Sequence, residues 1–356
     1  MIISLVVTVL NEGASIARLL DSIASQARLP DEVVACDGGS ADDTVARLNA
    51  EKRFPVRVIV APGANISRGR NLAIDASMGD LIVCSDAGVR LDPGWVDALA
   101  AAADAAGVGP GDRRLIGGVF VPDHTNAFEL AMSATVLPSV EEIQPERFLP
   151  SSRSVGFTRA GWEAAGRYPE WLDYCEDLVF DLRALRAGPF VFAPGAIVHF
   201  RPRASLQSFW KQYSLYARGD GKAGLWLKRH LIRYATYLTG LPGLLIGALA
   251  TQDYGVQTLC VAGLAIGAGA YLRTPYRRLA RLWGSYGLAD RLRALGLIPI
   301  IRVVGDIAKM TGYPSGVAWR RTRIASQPEL RWRSDSASPS TSSETGAGDA
   351  CLIDLR

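Results

Sequence analysis

The stretch Leu81–Val89, which reads LIVCSDAGV, runs from an apolar segment directly into an acidic residue and a glycine. A short apolar run that ends in a turn signal predicts a buried β-strand. In open parallel sheets, ligands collect beyond the carboxyl ends of the strands. Asp86 is therefore a candidate functional residue, although an aspartate that only forms the turn after a strand would look the same.

Two earlier segments repeat this pattern. Ile2–Leu10 is rich in β-branched residues and stops at Asn11-Glu12-Gly13, and Glu32–Cys36 stops at Asp37-Gly38-Gly39-Ser40. Residues 15–27 place apolar side chains on one helical face. The order strand, helix, strand, helix predicts an α/β protein with a parallel sheet. The three polar strand ends are then expected to converge on one edge of that sheet.

The order and spacing of these segments resemble those of family 2 glycosyltransferases with a GT-A fold. The matching segments are residues 7–12 and 36–44 for the first two strands, residues 67–71 and 79–86 for the metal-binding carboxylate motif, and Glu176-Asp177 for the acidic pair that carries the catalytic base. Each motif alone is weak, and their combination is specific. The resemblance implies a Rossmann-like, nucleotide-binding catalytic domain over residues 1–225.

The resemblance also implies a reaction. A family 2 enzyme moves a sugar, with inversion, from a nucleotide-diphosphate sugar to an acceptor hydroxyl, and a lipid-linked, polysaccharide or other membrane-proximal acceptor is expected here. The site must stabilise the leaving diphosphate, and a carboxylate must take the acceptor proton. Two other classes stay open, namely a nucleotidyltransferase and a membrane-anchored nucleotide-sugar-binding protein without transferase activity. The first strand lacks the Gly-x-Gly-x-x-Gly turn of a dinucleotide-binding dehydrogenase.

Roles for single residues follow from the same resemblance. The substrate-binding residues that it implies are Asp37 at the nucleobase, Asn11 and Glu12 in the nucleotide pocket, Arg70 near the nucleotide or its phosphates, Asp86 at ribose or metal, and Glu176 beside the base. Asp177 is the expected catalytic base. Arg70 could equally be a surface arginine. The acidic pair could equally be partners of a helix dipole, because it precedes an amphipathic helical pattern.

The carboxylate motif departs from the family pattern at one position. Gly88 stands where the family usually has the second aspartate of Asp-x-Asp. The expected cofactor is a divalent metal, Mg²⁺ or Mn²⁺, held by Asp86 with His199 as the recruited ligand, since neutral imidazole suits ions such as Mn²⁺. A lone histidine after a strand is also compatible with a structural or simply exposed position.

The segment from His199 to Gly221 mixes basic and aromatic residues. Arginine pairs with phosphate, and Trp and Tyr favour membrane interfaces. Arg218 is therefore expected to contact substrate, either the diphosphate or an acceptor at the membrane. The alternative is an amphipathic helix that packs its aromatic side chains on the catalytic domain.

Residues 226–325 are expected to form a membrane-associated helical region. Ala235–Thr251 and Val256–Leu272 are free of charge and close to the length that spans a bilayer. Basic residues flank this block at Lys228–Arg233 and Arg273–Arg281, which predicts a transmembrane hairpin at about 235–272 with both ends in the cytoplasm. The predicted protein is a multi-pass protein of the cell inner membrane with a cytoplasmic catalytic domain. A soluble helical pair buried against the enzyme is the rival interpretation.

The remaining composition adds three expectations. The five cysteines are scattered and show no metal or disulfide spacing, which suits a reducing cytoplasm. Formal net charge is only +4, and no nucleic-acid partner is expected. Residues 326–356 are predicted to be a disordered tail, because from Ser334 the chain turns to Ser, Thr, Gly and Ala.

Overall fold

A mixed sheet of eight strands organises the N-terminal part of the chain in the computed structural model, which describes residues 1–333. The strands are β1 (Ile3–Val9), β2 (Glu32–Asp37), β3 (Val56–Val60), β4 (Leu81–Asp86), β5 (Val89–Leu91), β6 (Ile116–Pro122), β7 (Val155–Phe157) and β8 (Val191–Phe200). They lie in the order β3-β2-β1-β4-β7-β6-β8-β5. β1 to β4 pair in parallel and β6 pairs in parallel with β8, whereas β7 runs antiparallel to β4 and β6, and β5 antiparallel to β8. The predicted α/β class is confirmed.

Within residues 1–333 the α-helices divide between two compact units. The helices are α1 (Ile16–Ala24), α2 (Thr44–Ala50), α3 (Ile66–Ala76), α4 (Trp95–Ala105), α5 (Ala127–Val136), α6 (Arg159–Ala164), α7 (Glu176–Ala184), α8 (Leu206–Ala223), α9 (Leu227–Ala235), α10 (Leu241–Ala250), α11 (Tyr254–Leu282) and α12 (Leu288–Arg323). The first unit comprises Met1–Asp123 and Ser139–Arg201. The second unit comprises His124–Pro138 and the described chain from Pro202 onward, so that α5 joins the C-terminal helices.

Both faces of the central strands are buried in the first unit. Ile3, Leu5 and Val7 of β1 share one apolar cluster with α1 and α4. Val6, between them, belongs to a second cluster on the opposite face, which includes residues of α3, α6 and α7. Because helices cover both sides, these strands read as continuous apolar runs rather than as alternating ones. That is why the sequence signal for β1 and β4 is strong.

The predicted catalytic domain of residues 1–225 extends too far toward the C-terminus. α8 belongs to the second unit, where it packs closely on α12. A Cβ atom at Gly312 would lie 2.0 Å from the backbone oxygen of Ser214, and one at Gly316 would lie 2.0 Å from that of Arg218. Glycines spaced four residues apart let two helix backbones approach this closely. The pair Gly312 and Gly316 therefore fixes α8 to the C-terminal helices.

The apolar block forms a helical hairpin. α9, a π-helical turn (Thr236–Gly240) and α10 follow one another directly and are joined to α11 by residues 251–253. The two legs approach closely where a Cβ atom at Gly247 would lie 2.4 Å from Sγ of Cys260. Outward-facing apolar side chains are strongly exposed, with Leu249 at 82%, Leu259 at 73% and Ile266 at 72%. The hairpin is thus not buried as the rival interpretation expected.

α11 is long and apolar enough to cross a membrane, and the apolar window on which that rests is not buried in the protein. By the same criteria of length and hydropathy it is the single such helix among residues 1–333. Length and composition alone are weak evidence for a membrane span. A multi-pass topology does not follow from this finding.

The predicted tail begins within folded structure. Pro328–Arg331 forms a 3-10 helix, Leu330 is fully buried, and the indole N–H of Trp332 donates to the backbone oxygen of Ala223 at 3.1 Å. These apolar side chains explain why residues 326–333 pack on the second unit. The rest of the predicted tail, residues 334–356, lies outside the described residues.

Candidate active site

The carboxyl ends of β1, β2 and β4 lie side by side, as the sequence predicts. Val9 pairs with Asp37 on one side of β1, and Thr8 pairs with Asp86 on the other. Since neighbouring strands are about 4.8 Å apart, the two aspartates lie roughly 10 Å apart across β1. Side chains alternate along a strand, so Asp37 and Asp86 are directed to opposite faces of the sheet. Each belongs to its own local cluster.

Asp37 holds the loop that follows β2. Its side chain is only 1% exposed. One carboxylate oxygen accepts hydrogen bonds from the backbone N–H groups of Gly39 and Ser40, each at 2.9 Å, and the other accepts one from the Ser40 hydroxyl. Gly39 has φ of +101°, a conformation that glycine adopts readily. The contact of Asp37 with a nucleobase stays a prediction, and the observed role of its carboxylate is to fix this loop.

Asn11 and Glu12 meet the same loop from the end of β1. Asn11 adopts the left-handed conformation with φ of 55°, its N–H donates to Oγ of Ser40 at 2.8 Å, and its side-chain oxygen accepts from the N–H of Ala41 at 2.9 Å. The N–H of Glu12 donates to Oγ1 of Thr44 at 2.8 Å. Two of the predicted substrate-binding residues are therefore brought together with the loop after β2.

A buried ion-pair cluster lies at the end of β4, on the other face of the sheet. Arg70 of α3 is 2% exposed. Its two terminal nitrogens donate to Oε1 of Glu176 and to Oδ1 of Asp86, each at 2.8 Å. Its guanidinium carbon lies 5.2 Å from the centroid of the Tyr168 ring. Arg70 is thus not a surface arginine, and it joins two of the other predicted residues.

Burial and charge oppose one another at this arginine. Burial alone would lower the pKa of the Arg70 guanidinium, but the negative charges of Asp86 and Glu176 outweigh it and raise that pKa above its ordinary value. Burial also raises the pKa of the neighbouring Cys84 thiol to about 12 and lifts that of Tyr168 well above its ordinary value. Arg70 stays charged, and the thiol and the phenol around it stay neutral.

A second arginine at this cluster, Arg153, was not predicted from the sequence. Its Nε lies 3.2 Å from Oδ2 of Asp86, and its guanidinium carbon lies 5.2 Å and 5.5 Å from the ring centroids of Phe200 and Phe120. The antiparallel pairing of β4 with β7 matches Cys84 with Val155, so the register continued by two residues sets Arg153 opposite Asp86. The side chain of Arg153 is about a quarter exposed to solvent, whereas that of Arg70 is buried.

The predicted catalytic base lies directly beside this cluster. Glu176 and Asp177 open α7, and both side chains are more than nine-tenths buried. Cys175, which precedes them, has φ of 65°, so the chain turns sharply into the helix. Oδ1 of Asp177 accepts the backbone N–H of Leu178 at 2.8 Å. Asp177 is therefore held at a helix N-terminus, one residue after a partner of Arg70.

The donor groups do not fit the metal site that the resemblance implies. Both carboxylate oxygens of Asp86 are engaged by arginines, and Gly88 supplies no second carboxylate. His199 is paired with Asp92, its Nε2 lying 3.3 Å from the Asp92 carboxylate, because β5 and β8 pair in this region. In the part of the chain that the structure describes, no group of three or more His, Cys, Asp or Glu side chains is placed to hold a metal ion. The pairing of Asp86 with His199 as ligands is not what the structure shows.

Arg218 is not part of this cluster. It lies on α8, in the second unit, and its side chain is exposed. The backbone around it is closely packed on α12. The sequence around Arg218 does not predict that α8 belongs to the second unit, since the glycines that fix α8 lie some ninety residues further on.

Comparison with known proteins assigns the fold. The model of the family "Glycosyl transferase family 2" matches residues 4–132, which include β1, β2 and β4 with the polar residues at their ends. The match to glycosyltransferase family 2 covers the part of the chain that forms the parallel core of the sheet. The sheet is the GT-A sheet predicted from the sequence motifs. No curated protein sequence matched the chain.

Several solved structures are similar to the chain at low sequence identity. S. aureus TarS 1–349 is 18% identical, with 91% of this chain and 92% of that chain covered and a TM-score of 0.46. The same TarS fragment in complex with UDP-GlcNAc is 17% identical, with 90% and 92% covered and a TM-score of 0.46. The mannosyltransferase PcManGT from Pyrobaculum calidifontis, in complex with GDP-Man and Mn²⁺, is 16% identical, with 91% and 87% covered and a TM-score of 0.48.

Proposed function

We propose that this protein is a family 2 glycosyltransferase, which uses a nucleotide-diphosphate sugar as donor and transfers the sugar with inversion to the hydroxyl of a lipid-linked, polysaccharide or other membrane-proximal acceptor. The observation that carries the proposal is the cluster in which Arg70 joins Asp86, at the end of β4, to Glu176, beside Asp177. Ligands of open α/β sheets bind beyond these strand ends. One side chain thus connects the expected donor side to the expected base.

In the proposed reaction, the acceptor oxygen attacks the anomeric carbon as its proton passes to the Asp177 carboxylate. A new glycosidic bond forms, the bond from the anomeric carbon to the diphosphate breaks, and the nucleoside diphosphate leaves. Attack from one face with departure from the other inverts the anomeric configuration. Asp86 and Glu176 stay held by Arg70, which keeps their charges in place while the base receives the proton.

The leaving diphosphate needs positive charge nearby. The cluster itself is balanced, since the charges of Arg70 and Arg153 match those of Asp86 and Glu176. Arg153 is the more accessible of the two arginines, and a guanidinium can bind two phosphate oxygens at once. We therefore assign Arg153 the contact with the diphosphate, and the reaction described above involves no metal ion.

The test is transfer by the purified full-length protein. Nucleotide sugars that copurify with it are identified by mass spectrometry and then supplied as donors. Asp177→Asn keeps the shape of the side chain and removes the proton acceptor, so transfer is expected to fall by at least about two orders of magnitude while nucleotide affinity is retained. Asp173→Asn, an exposed aspartate in the preceding loop, is the matched control and should leave the rate unchanged.

Three outcomes contradict the proposal. Near-normal turnover by Asp177→Asn removes the base assignment. A tightly retained donor that is never turned over identifies a binding protein. Release of pyrophosphate from a nucleoside triphosphate and a sugar phosphate identifies a nucleotidyltransferase.

We further propose that the helical hairpin crosses the membrane. Two observations support membrane insertion of the hairpin. Apolar side chains on both legs are exposed. Basic residues flank the hairpin, namely Lys228, Arg229 and Arg233 before the first leg and Arg273, Arg277, Arg278 and Arg281 at the end of the second. Each charge-free stretch of the hairpin is roughly 25 Å long at 1.5 Å per residue, slightly short of the usual hydrocarbon thickness. Such a short span is accommodated by local thinning of the bilayer.

The orientation is tested by cysteine labelling. A cysteine in place of Gln252, in the turn between the legs, should react with an impermeant reagent on intact cells or spheroplasts. A cysteine in place of Ser326, an exposed position after α12, should react only once the membrane is opened. The reverse pattern overturns the topology, and recovery of all the full-length protein in the soluble fraction overturns the membrane proposal.

A further inference from the structure

The loop that leads into the expected catalytic pair is strained near both of its ends. This α6–α7 loop comprises residues 165–175 and runs directly into Glu176 and Asp177. Arg167 has φ of 61° and Cys175 has φ of 65°, in the left-handed region that side chains other than glycine rarely adopt. Residues in such conformations persist only where the surrounding structure holds them, and they cluster at functional sites. The α6–α7 loop therefore needs contacts from outside itself.

A single buried amide on α3 supplies most of these contacts. Asn71 is 3% exposed, and its side-chain nitrogen donates to the backbone oxygen of Tyr168 and to Oε1 of Glu170, each at 2.9 Å. Its side-chain oxygen accepts the backbone N–H of Tyr168 at 3.0 Å and the indole N–H of Trp162 at 3.2 Å. The amide of an asparagine has two N–H donors and an oxygen with two lone pairs, so all of its hydrogen-bonding capacity is used.

Two further polar side chains from the start of α3 hold the same loop. Ser67 is fully buried, and its hydroxyl donates to the backbone oxygen of Leu172 at 3.1 Å. The side-chain nitrogen of Asn65, the N-cap residue, donates to the backbone oxygen of Glu170 at 2.7 Å. Residues four apart share one face of a helix, so Ser67 and Asn71 bind the loop from the same face of α3.

The same helix also holds the residue that follows the loop. Arg70, next to Asn71 in the sequence, donates to Glu176 at 2.8 Å, and its guanidinium carbon lies 5.2 Å from the centroid of the Tyr168 ring. Tyr168 is thus held at its backbone by Asn71 and at its ring by Arg70. Because Asp177 follows Glu176, the path of the α6–α7 loop determines where the Asp177 carboxylate lies.

We propose that Asn71 is a positioning residue for the catalytic base, because it holds the α6–α7 loop and thereby places the Asp177 carboxylate where it receives the acceptor proton. The inference rests on the proposed role of Asp177. A base must lie within hydrogen-bond reach of the proton that it takes, and a displacement of about 1 Å costs on the order of 100-fold in rate. The donor is proposed to bind near Asp86, outside this loop, so loss of Asn71 should act on turnover rather than on donor affinity.

Asn71→Asp tests this contact with almost no change of shape. A carboxylate has no N–H to donate to the oxygen of Tyr168, and it repels the carboxylate of Glu170. The variant should lose about 10- to 100-fold in kcat, while KM for the donor stays within about twofold of wild type. Hydrogen exchange should increase in peptides that cover the α6–α7 loop. Asn49→Asp, the same change at an exposed position of α2, is the matched control and should alter neither measurement.

A second substitution separates positioning of the base from a loss of folded protein. In Asn71→Asp/Glu170→Gln the hydrogen bond between the two side chains is restored in the opposite direction, because the new amide donates to the new carboxylate. The kcat of this double variant should exceed that of Asn71→Asp by at least about threefold. Active sites are counted by titration with the nucleoside diphosphate, so partial unfolding lowers the number of sites and not kcat.

Three outcomes overturn the proposal. The first is increased exchange in the loop of Asn71→Asp with an unchanged kcat. The second is a lowered kcat without increased exchange, because Asn71 would then act by another route than the loop. The third is a double variant no faster than Asn71→Asp. Failure of the proposed function looks different, since Asp177→Asn then keeps near-normal turnover, or wild type turns over no donor at all; either result also removes the role of Asn71.

Discussion

Replacement of Arg70 by Gln tests the central contact of the candidate site. The variant removes the Arg70 cation from Glu176, a buried carboxylate, and removes one of the two arginines from Asp86. Breaking a buried ion pair by removing one partner costs about 3–5 kcal/mol of unfolding free energy. Asp86 keeps Arg153 and is partly exposed, so the lower end, about 3 kcal/mol, is expected.

The loss can be measured by thermal unfolding and by hydrogen exchange. For a folding unit of this size, a change of 1 kcal/mol shifts Tm by about 2–4 °C, so Arg70→Gln should lower Tm by roughly 6–12 °C. Hydrogen exchange with mass spectrometry should place the loss in peptides from α3 and β4, which distinguishes the first unit from the second. Arg68→Gln is the matched control, because Arg68 lies on the same helix and is exposed.

A second substitution separates lost charge pairing from a damaged helix. In Arg70→Gln/Glu176→Gln the buried carboxylate that lost the Arg70 cation is gone, so more than half of the lost stability should return. The reasoning is refuted if Arg70→Gln melts within about 2 °C of Arg68→Gln. It is equally refuted if the double variant is no more stable than the single one.

Three further predictions concern the cluster and the second unit. Arg153→Gln should weaken nucleoside-diphosphate binding by at least about tenfold in calorimetry, with little change in stability, because Asp86 keeps Arg70. Gly88→Asp should create a calorimetric Mn²⁺ signal that wild type lacks, since no atom lies within 4 Å of the position of the added Cβ atom. Burial lowers the pKa of His230 despite its contact with Asp220, so the unfolding free energy should fall as the pH drops below about 6.5, the ordinary histidine value. His230→Gln should remove this pH dependence of the unfolding free energy. An unchanged pH profile in that variant would contradict the prediction.

The parallel core of the fold was predictable because its signals are local. β1, β2 and β4 are buried on both faces, so each is a short apolar run that ends abruptly at polar residues. Strand ends in a parallel sheet share one edge, and that geometry made Asp37 and Asp86 visible from the sequence. The face to which each carboxylate points was not visible, because it depends on a register difference of one residue between β1 and its two neighbours.

The contacts of Asp86 could not be predicted, since they depend on distant pairing. Arg153 lies opposite Asp86 only because β7 runs antiparallel to β4 with one particular register. Nothing in the sequence around Arg153 marks it, as it lies among serines before a very short strand. The partners of the expected metal ligands could not be predicted for the same reason: the resemblance implies Asp86 and His199 as ligands, while the structure pairs Asp86 with arginines and His199 with Asp92.

The division of the chain into two compact units could not be predicted from local sequence either. α5 follows β6 directly in the sequence, yet it belongs to the C-terminal unit, where it shares an apolar core with α8, α11 and α12. The amphipathic pattern of α8 predicted a helix without predicting its partner. Gly312 and Gly316 identify that partner in the structure, because any side chain there would collide with the backbone of α8.

Arg70 gives the candidate site a connection that neither carboxylate could provide alone. Asp86 belongs to a strand of the sheet, and Glu176 belongs to the first turn of α7. Two hydrogen bonds of 2.8 Å from one buried guanidinium fix their separation. Because Asp177 follows Glu176 in the same helical turn, its position is set by the same arginine. In the proposed reaction, Arg70 would thus fix the position of a donor held near Asp86 relative to an acceptor whose proton passes to Asp177, and it would act as a positioning residue.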